Sequence, residues 1–130
     1  MLAKGVRDLD VYRLAFALQQ QIFVLTKTFP KEEMYSLTDQ IRRSSRSVGA
    51  NTSEAWAKRK YPAHFVSKLS DADGEAEETQ HWIETAFACE YINAETRENL
   101  TSQYNHVSGM LNKMMANAND WCEGFANSKL

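Results

Sequence analysis

The chain has 130 residues, 43% of them apolar and 25% charged, with a formal net charge of −2. That is the length and composition of one globular domain, and two prolines with five glycines are too little turn material for a many-stranded sandwich. The near-neutral total speaks against a nucleic-acid binder until it is split by position: residues 41–70 carry seven basic groups against one acidic, and residues 71–98 nine acidic against one basic.

Helix-period apolar spacing runs almost end to end. In the first segment Val11, Ala15, Leu18, Ile22, Leu25 and Phe29 share a face; Asp8 or Asp10 can cap its start and Pro30 ends it. The second carries Leu37, Ile41, Ser44, Val48, Thr52 and Ala55 and stops before Tyr61-Pro62, where proline disfavours a continuing helix but suits the first turn of a new one. A third helix from Pro62 carries Phe65, Leu69, Ala72, Ala76, Thr79, Ile83 and Ala86. After a break near Tyr91-Ile92-Asn93, with Asn93 as N-cap, the fourth has Leu100, Tyr104, Val107, Leu111, Met114, Ala118, Trp121 and Phe125.

The spacing therefore predicts an all-α fold, an antiparallel up-down four-helix bundle in a single domain over residues 1–130, with helices at about 9–29, 35–59, 62–91 and 94–123. Gly49, Gly74 and Gly109 fall near helix middles and predict close backbone approach there or kinks, and the many small residues of the second helix place it close against its neighbours. Tyr12, Phe16 and Phe23 form a second stripe on the first helix, and Trp82, Phe87 and Tyr91 widen that of the third. Either these stripes are simply broad core faces, or they mark the interface of a homo-oligomer. Cys89 and Cys122 form no disulfide framework and are expected to act as small buried hydrophobes. With no apolar run of signal-peptide or membrane-span length, the expectation is a cytoplasmic protein that does not enter a membrane.

The stretch Phe29-Pro30, Tyr35-Ser36-Leu37-Thr38-Asp39-Gln40-Ile41-Arg42-Arg43-Ser44-Ser45, Ser47-Val48 and Asn51-Thr52-Ser53-Glu54 resembles the four-helix-bundle family encoded in 23S rRNA intervening sequences. Asp8-Leu9-Asp10-Val11-Tyr12 and Ala72-Asp73-Gly74 with Glu78 are similar to that family's pattern as well. The resemblance covers roughly residues 8–120 and implies a small bacterial cytosolic bundle assembling as a cyclic homo-oligomer, a pentamer. It also implies kinship with accessory bundles of diversity-generating retroelements, and hence RNA or other nucleic acid and a reverse transcriptase as partners. The chain departs from the pattern at Thr52-Ser53-Glu54-Ala55 and at Glu75-Ala76, which makes its third helix more acidic than the family's.

Phosphate binding needs clustered Arg and Lys, and base stacking needs aromatics nearby. Arg42, Arg43 and Arg46 supply one cluster; Lys58, Arg59 and Lys60, beside Trp56 and Tyr61, supply another. For the arginines a second reading is open. If the second and third helices form a hairpin turning near residues 60–61, Arg46 falls opposite Glu75 and Arg43 opposite Glu78, and the charges pair internally. The turn Lys58-Arg59-Lys60 has no comparable acids in sequence and is the preferred nucleic-acid contact. Asn51 and Glu54, with Glu75 and Glu78, are expected to form a structural polar network. Tyr12, Phe16, Phe23 and Trp82 are the candidate oligomer contacts.

Enzymatic chemistry has little footing. Glu78 and His81 have the spacing of half a di-iron motif, but no second Glu-x-x-His exists, and no metal site or cofactor is expected. Asp71, Glu75 and Glu78 could hold Mg²⁺ on one face, yet no basic triphosphate cradle accompanies them on that helix; a metal-dependent nucleotide hydrolase therefore ranks behind a protein-interaction scaffold among the alternatives. There is no Gly-rich phosphate loop and no nucleophile elbow, so no catalytic residue is assigned.

Overall fold

A computed structural model describes the backbone of residues 3–127 and the side chains of residues 3–122. Among the described residues there are five α-helices and no strand: α1 (Asp10–Thr26), α2 (Leu37–Ala57), α3 (Pro62–Ala88), α4 (Ala94–Ala116) and α5 (Ala118–Asn127). Short 3-10 turns, Val6–Asp8 and Lys31–Glu33, precede α1 and α2.

The buried positions follow the apolar spacing. Val11, Ala15, Leu18 and Ile22 of α1 meet Leu37, Ile41, Val48 and Ala55 of α2, Phe65, Leu69, Ala72, Ala76, Ile83 and Ala86 of α3, and Leu100, Tyr104, Val107 and Leu111 of α4 in one core. The most extensive contact is α2 with α3, then α3 with α4 and α1 with α2. Between α2 and α3, Arg43 reaches Glu78 and Glu54 reaches Lys68; between α3 and α4, Gln80 reaches Asn105 and Glu84 reaches Arg97.

The α2–α3 seam is made of small residues. Ser44, Ser45, Gly49, Thr52 and Ala55 are buried on α2, and Ala72, Ala76 and Thr79 on α3. Burying hydroxyls here costs little because each bonds its own helix: Ser44 to the Ile41 carbonyl, Ser45 to that of Arg42 and Thr52 to that of Val48. Thr79 Oγ1 also donates to Ser44 Oγ across the seam at 2.9 Å.

Helix ends follow local chemistry. Asp8 accepts from the Lys4 and Gly5 backbone N–H groups and so closes the turn before α1; Leu9, not an aspartate, is the N-cap. Asn93 caps α4 by accepting from Thr96 N–H at 2.8 Å. α3 ends at Ala88, where Glu90 adopts φ 63°, with Glu90 N–H bonded to the Phe87 carbonyl and Tyr91 N–H to that of Ala86. This is a Schellman ending built without the usual glycine. Tyr91 packs on Phe29, ring centroids 5.4 Å apart, and its hydroxyl donates to Glu33 Oε2, which ties this corner to the α1–α2 connection.

Three further sequence expectations are corrected. The segment read as one helix over 94–123 breaks at Asn117, whose backbone N–H is shared between the Lys113 and Met114 carbonyls while its side chain bonds Lys113 again. Asn117 leaves helical geometry, φ −108° and ψ 28°, and is the C-cap of α4 although the apolar spacing continues through it; the Phe125 side chain lies outside the described residues. Gly74 and Gly109 face open space, so neither marks a close approach, and a Cβ on buried Gly49 would meet Tyr12 at an ordinary 3.7 Å. Cys89 is exposed at the end of α3, whereas Cys122 is buried.

Candidate nucleic-acid interface

On a helix advancing about 100° per residue, Arg42 and Arg46 lie on nearly the same face and Arg43 on another. The structure uses this difference. Arg43 turns toward α3, with Nη1 at 3.2 Å from Glu75 Oε2 and Nη2 donating to Glu78 Oε2. Glu78 accepts from Trp82 Nε1 as well, at 3.1 Å. The Trp82 hydrogen bond, followed by the Arg43 guanidinium, holds the Glu78 carboxyl below its ordinary range against the opposing effect of burial.

Arg42 and Arg46 turn the other way, toward α1. Arg42 Nε donates to Thr26 Oγ1 at 2.8 Å, and its guanidinium carbon lies 4.8 Å from the centre of the Phe23 ring. Arg46 approaches the same ring at 5.8 Å and Lys27 Nζ at 4.7 Å. The pairing of Arg46 with Glu75 expected from the hairpin register is thus absent. Arg43 takes both acids because its face, not that of Arg46, is turned to α3.

The three arginines line an open groove of about 610 Å³ that also includes Met34, Tyr35 and Asp39. Tyr35 is 92% exposed. Sequence reasoning singled out neither Lys27 nor Tyr35 as a functional residue, and offered Phe23 either as part of a broad core face or as a subunit contact. The four-residue spacing of Phe23 on α1 and Lys27 at its C-cap was the available signal.

At the other end of α2 the basic turn is not uniform. Arg59 lies over Trp56, its guanidinium carbon 3.5 Å from the ring centre, and Nε donates to the Trp56 carbonyl. Burial lowers the pKa of this guanidinium, and Trp56 in turn packs edge-on against Trp121. Lys58 and Lys60 are exposed, Lys60 Nζ standing 5.9 Å from the Tyr61 ring.

The expected polar quartet separates into distinct contacts. Asn51 donates to the Ser47 carbonyl of its own helix, Glu54 pairs with Lys68 at 2.7 Å, and Glu75 and Glu78 meet at Arg43. Asn51 therefore joins none of the three acids. On α1, Tyr12 stacks on Phe16 with centroids 6.1 Å apart, and Phe16 is 46% exposed; Trp82 is half-buried against the core.

Among the described residues no three histidine, cysteine, aspartate or glutamate side chains are grouped to hold a metal. Glu75 and Glu78 are engaged by Arg43, while Asp71 stands 3.9 Å from Lys68. No described helix is long and apolar enough to cross a membrane.

The chain matches the sequence profile of the 23S rRNA-intervening sequence protein family over residues 7–113. It belongs to that family. Among similar solved structures is a protein of unknown function from the S23 ribosomal protein family of Bacteroides thetaiotaomicron VPI-5482. It is 29% identical, superposes with a TM-score of 0.73, and the match covers 81% of this chain and 97% of that one. No curated protein matches. In this member of the intervening-sequence family, the cations of the arginine groove and of the turn at the end of α2 lie outside the packed core.

Proposed function

We propose that this intervening-sequence family protein is a non-enzymatic bundle that binds RNA through the basic side chains of α2. One observation carries the reading: Arg43 and Lys68 are neutralised by α2–α3 ion pairs, whereas Arg42, Arg46, Lys58 and Lys60 have no ion pair among the described residues. Phosphates are the natural complement of such unneutralised cations, and Tyr35 and Tyr61 stand beside them with exposed rings. The family's description, tied to 23S rRNA, makes RNA the first polymer to try.

In this reading the chain is one antiparallel up-down domain, supported by the opposed residue numbering of its interhelical pairs. It works in the cytoplasm and assembles as a ring of identical subunits, five by family resemblance. Exposed Phe16 and Val24 on α1 favour that assembly.

The test is a fluorescence-anisotropy titration of labelled RNA at low and physiological salt. Affinity should fall steeply with salt and be weakened by Lys58→Gln with Lys60→Gln, and by Arg42→Gln with Arg46→Gln. Each lost phosphate contact should remove about 0.7–0.9 from the logarithmic salt slope. Weak, salt-insensitive binding unchanged in both double variants would instead favour the second reading, a protein-interaction scaffold, for which the exposed apolar side chains Phe16, Val24 and Met34 speak.

A further inference from the structure

Three cations converge on one aromatic ring, and none of them has an ion pair among the described residues. Lys27 Nζ, the Arg42 guanidinium and the Arg46 guanidinium lie 4.7, 4.8 and 5.8 Å from the Phe23 centroid. The ring's negative face eases their crowding, yet it cancels no charge. Arg42 is held in place by Thr26 Oγ1 and by the Phe23 carbonyl. The remaining guanidinium edge of Arg42, together with exposed Arg46 and Lys27, is a set of donors for a tetrahedral oxyanion. Asp39, one helical turn before Arg42 and Arg43, is the acidic side chain in the groove wall, and it is exposed and outside every described ion pair.

The groove that holds Arg42 and Arg46 also holds Tyr35. A tyrosine with 92% of its surface in water contributes nothing to the core. Its backbone is nonetheless fixed: Met34 N–H bonds the Lys31 carbonyl and Ser36 N–H bonds that of Glu33. The Glu33 side chain, in turn, accepts from Leu37 N–H and from the Tyr91 hydroxyl. An exposed ring on an anchored turn beside an oxyanion site is a preorganised stacking platform.

We infer that Tyr35 together with Lys27, Arg42 and Arg46 forms a binding site for an unpaired nucleotide of a single strand, the phosphate held by the cations around Phe23 and the base stacked on Tyr35. This rests on the RNA-binding reading and narrows it. Bases inside a duplex are stacked on one another and present no free face to a side chain, so the site selects single strands and does not read sequence.

The experiment compares a labelled oligouridine with the same sequence as DNA and with an RNA duplex of equal length, by anisotropy at about 50 and 200 mM salt. The single strands should bind at least tenfold tighter than the duplex; DNA binding as well as RNA would mean the site takes phosphate and base without the 2′-hydroxyl. Tyr35→Ala should cost at least about fivefold on single strands and leave the duplex unchanged, with Tyr35→Trp restoring affinity. Lys27→Gln and Arg46→Gln should each lower the salt slope for single strands by about 0.7. Both positions are exposed, so far-UV circular dichroism serves as the check that the variants fold. Single-strand binding indifferent to Tyr35, or to Lys27 and Arg46, overturns the inference. If single strand and duplex then bind alike and respond to Lys58 and Lys60, RNA binding stands and this site falls. If no nucleic acid binds at low salt, both fall.

Discussion

Replacing Arg43 with glutamine removes the cation that Glu75 and Glu78 share on α3. Arg43 keeps 47% of its side chain exposed, against 22% for Glu75 and 35% for Glu78, so solvent screens both pairs and each is worth about 0.2–1 kcal/mol. The two acids left behind stand three residues apart on one helix face and repel by a few tenths of a kcal/mol. The expected loss is therefore about 1–1.5 kcal/mol, read as a lower urea midpoint with an unchanged slope by circular dichroism. The pH dependence follows from Glu78, whose folded pKa is depressed by the Trp82 hydrogen bond and then by Arg43. A carboxyl lowered on folding stabilises above its unfolded pKa of about 4.3 and loses that contribution as pH falls through the folded value. The gap between wild type and Arg43→Gln should be full at neutral pH, shrink in molar salt, and close below about pH 4. Equal midpoints at neutral pH, or a gap that persists undiminished in acid, would refute the pairing as the source of stability. A cycle with Glu78→Gln should return a coupling of about 0.5–1 kcal/mol.

Two further substitutions probe the corner after α3. Glu90→Gly should raise stability by about 0.5–1 kcal/mol, because a glutamate at φ 63° is strained and glycine is not, although glycine also loosens the unfolded chain; a thermal melt that moves down instead would refute this. The Tyr91 phenol, hydrogen-bonded to Glu33 and crowded by its charge, is pushed up to about 12, so its contribution is complete below pH 10 and fades as pH rises toward 12. Ultraviolet titration should find this late tyrosine returning toward its ordinary range in Glu33→Gln. Tyr104, raised by burial alone, should not move.

The core was legible because burial in helices leaves a periodic trace. Leu37, Ile41, Ser44, Val48, Thr52 and Ala55 read as one face of α2 and are buried as one face, and the Phe65-to-Ala86 stripe of α3 behaves likewise. Other features leave no such trace. Asn117 caps the end of α4 while the spacing of Met114, Ala118 and Trp121 carries on unbroken. The Glu90 turn has no glycine to announce it. Charge blocks showed that α2 and α3 complement each other, yet which arginine meets which acid depends on helix rotation, to which a count of charges is blind. The tip Lys58-Arg59-Lys60 read as three equal cations, whereas the seat of Arg59 over the Trp56 ring and on its carbonyl makes its part in the turn structural. Phe23 was legible as an aromatic off the main stripe, but its role as a seat for three cations required the α1–α2 geometry.

The α2 seam of serine, glycine, threonine and alanine is smooth, so the angular setting of α2 rests on its few large core side chains, Leu37, Ile41 and Val48. The arginines add to that resistance from outside the seam. Arg42 is pinned to Thr26 on one side and Arg43 to Glu75 and Glu78 on the other, so a turn of α2 in either direction breaks one set of bonds or the other. The pair acts as guy ropes that set the helix's angular phase.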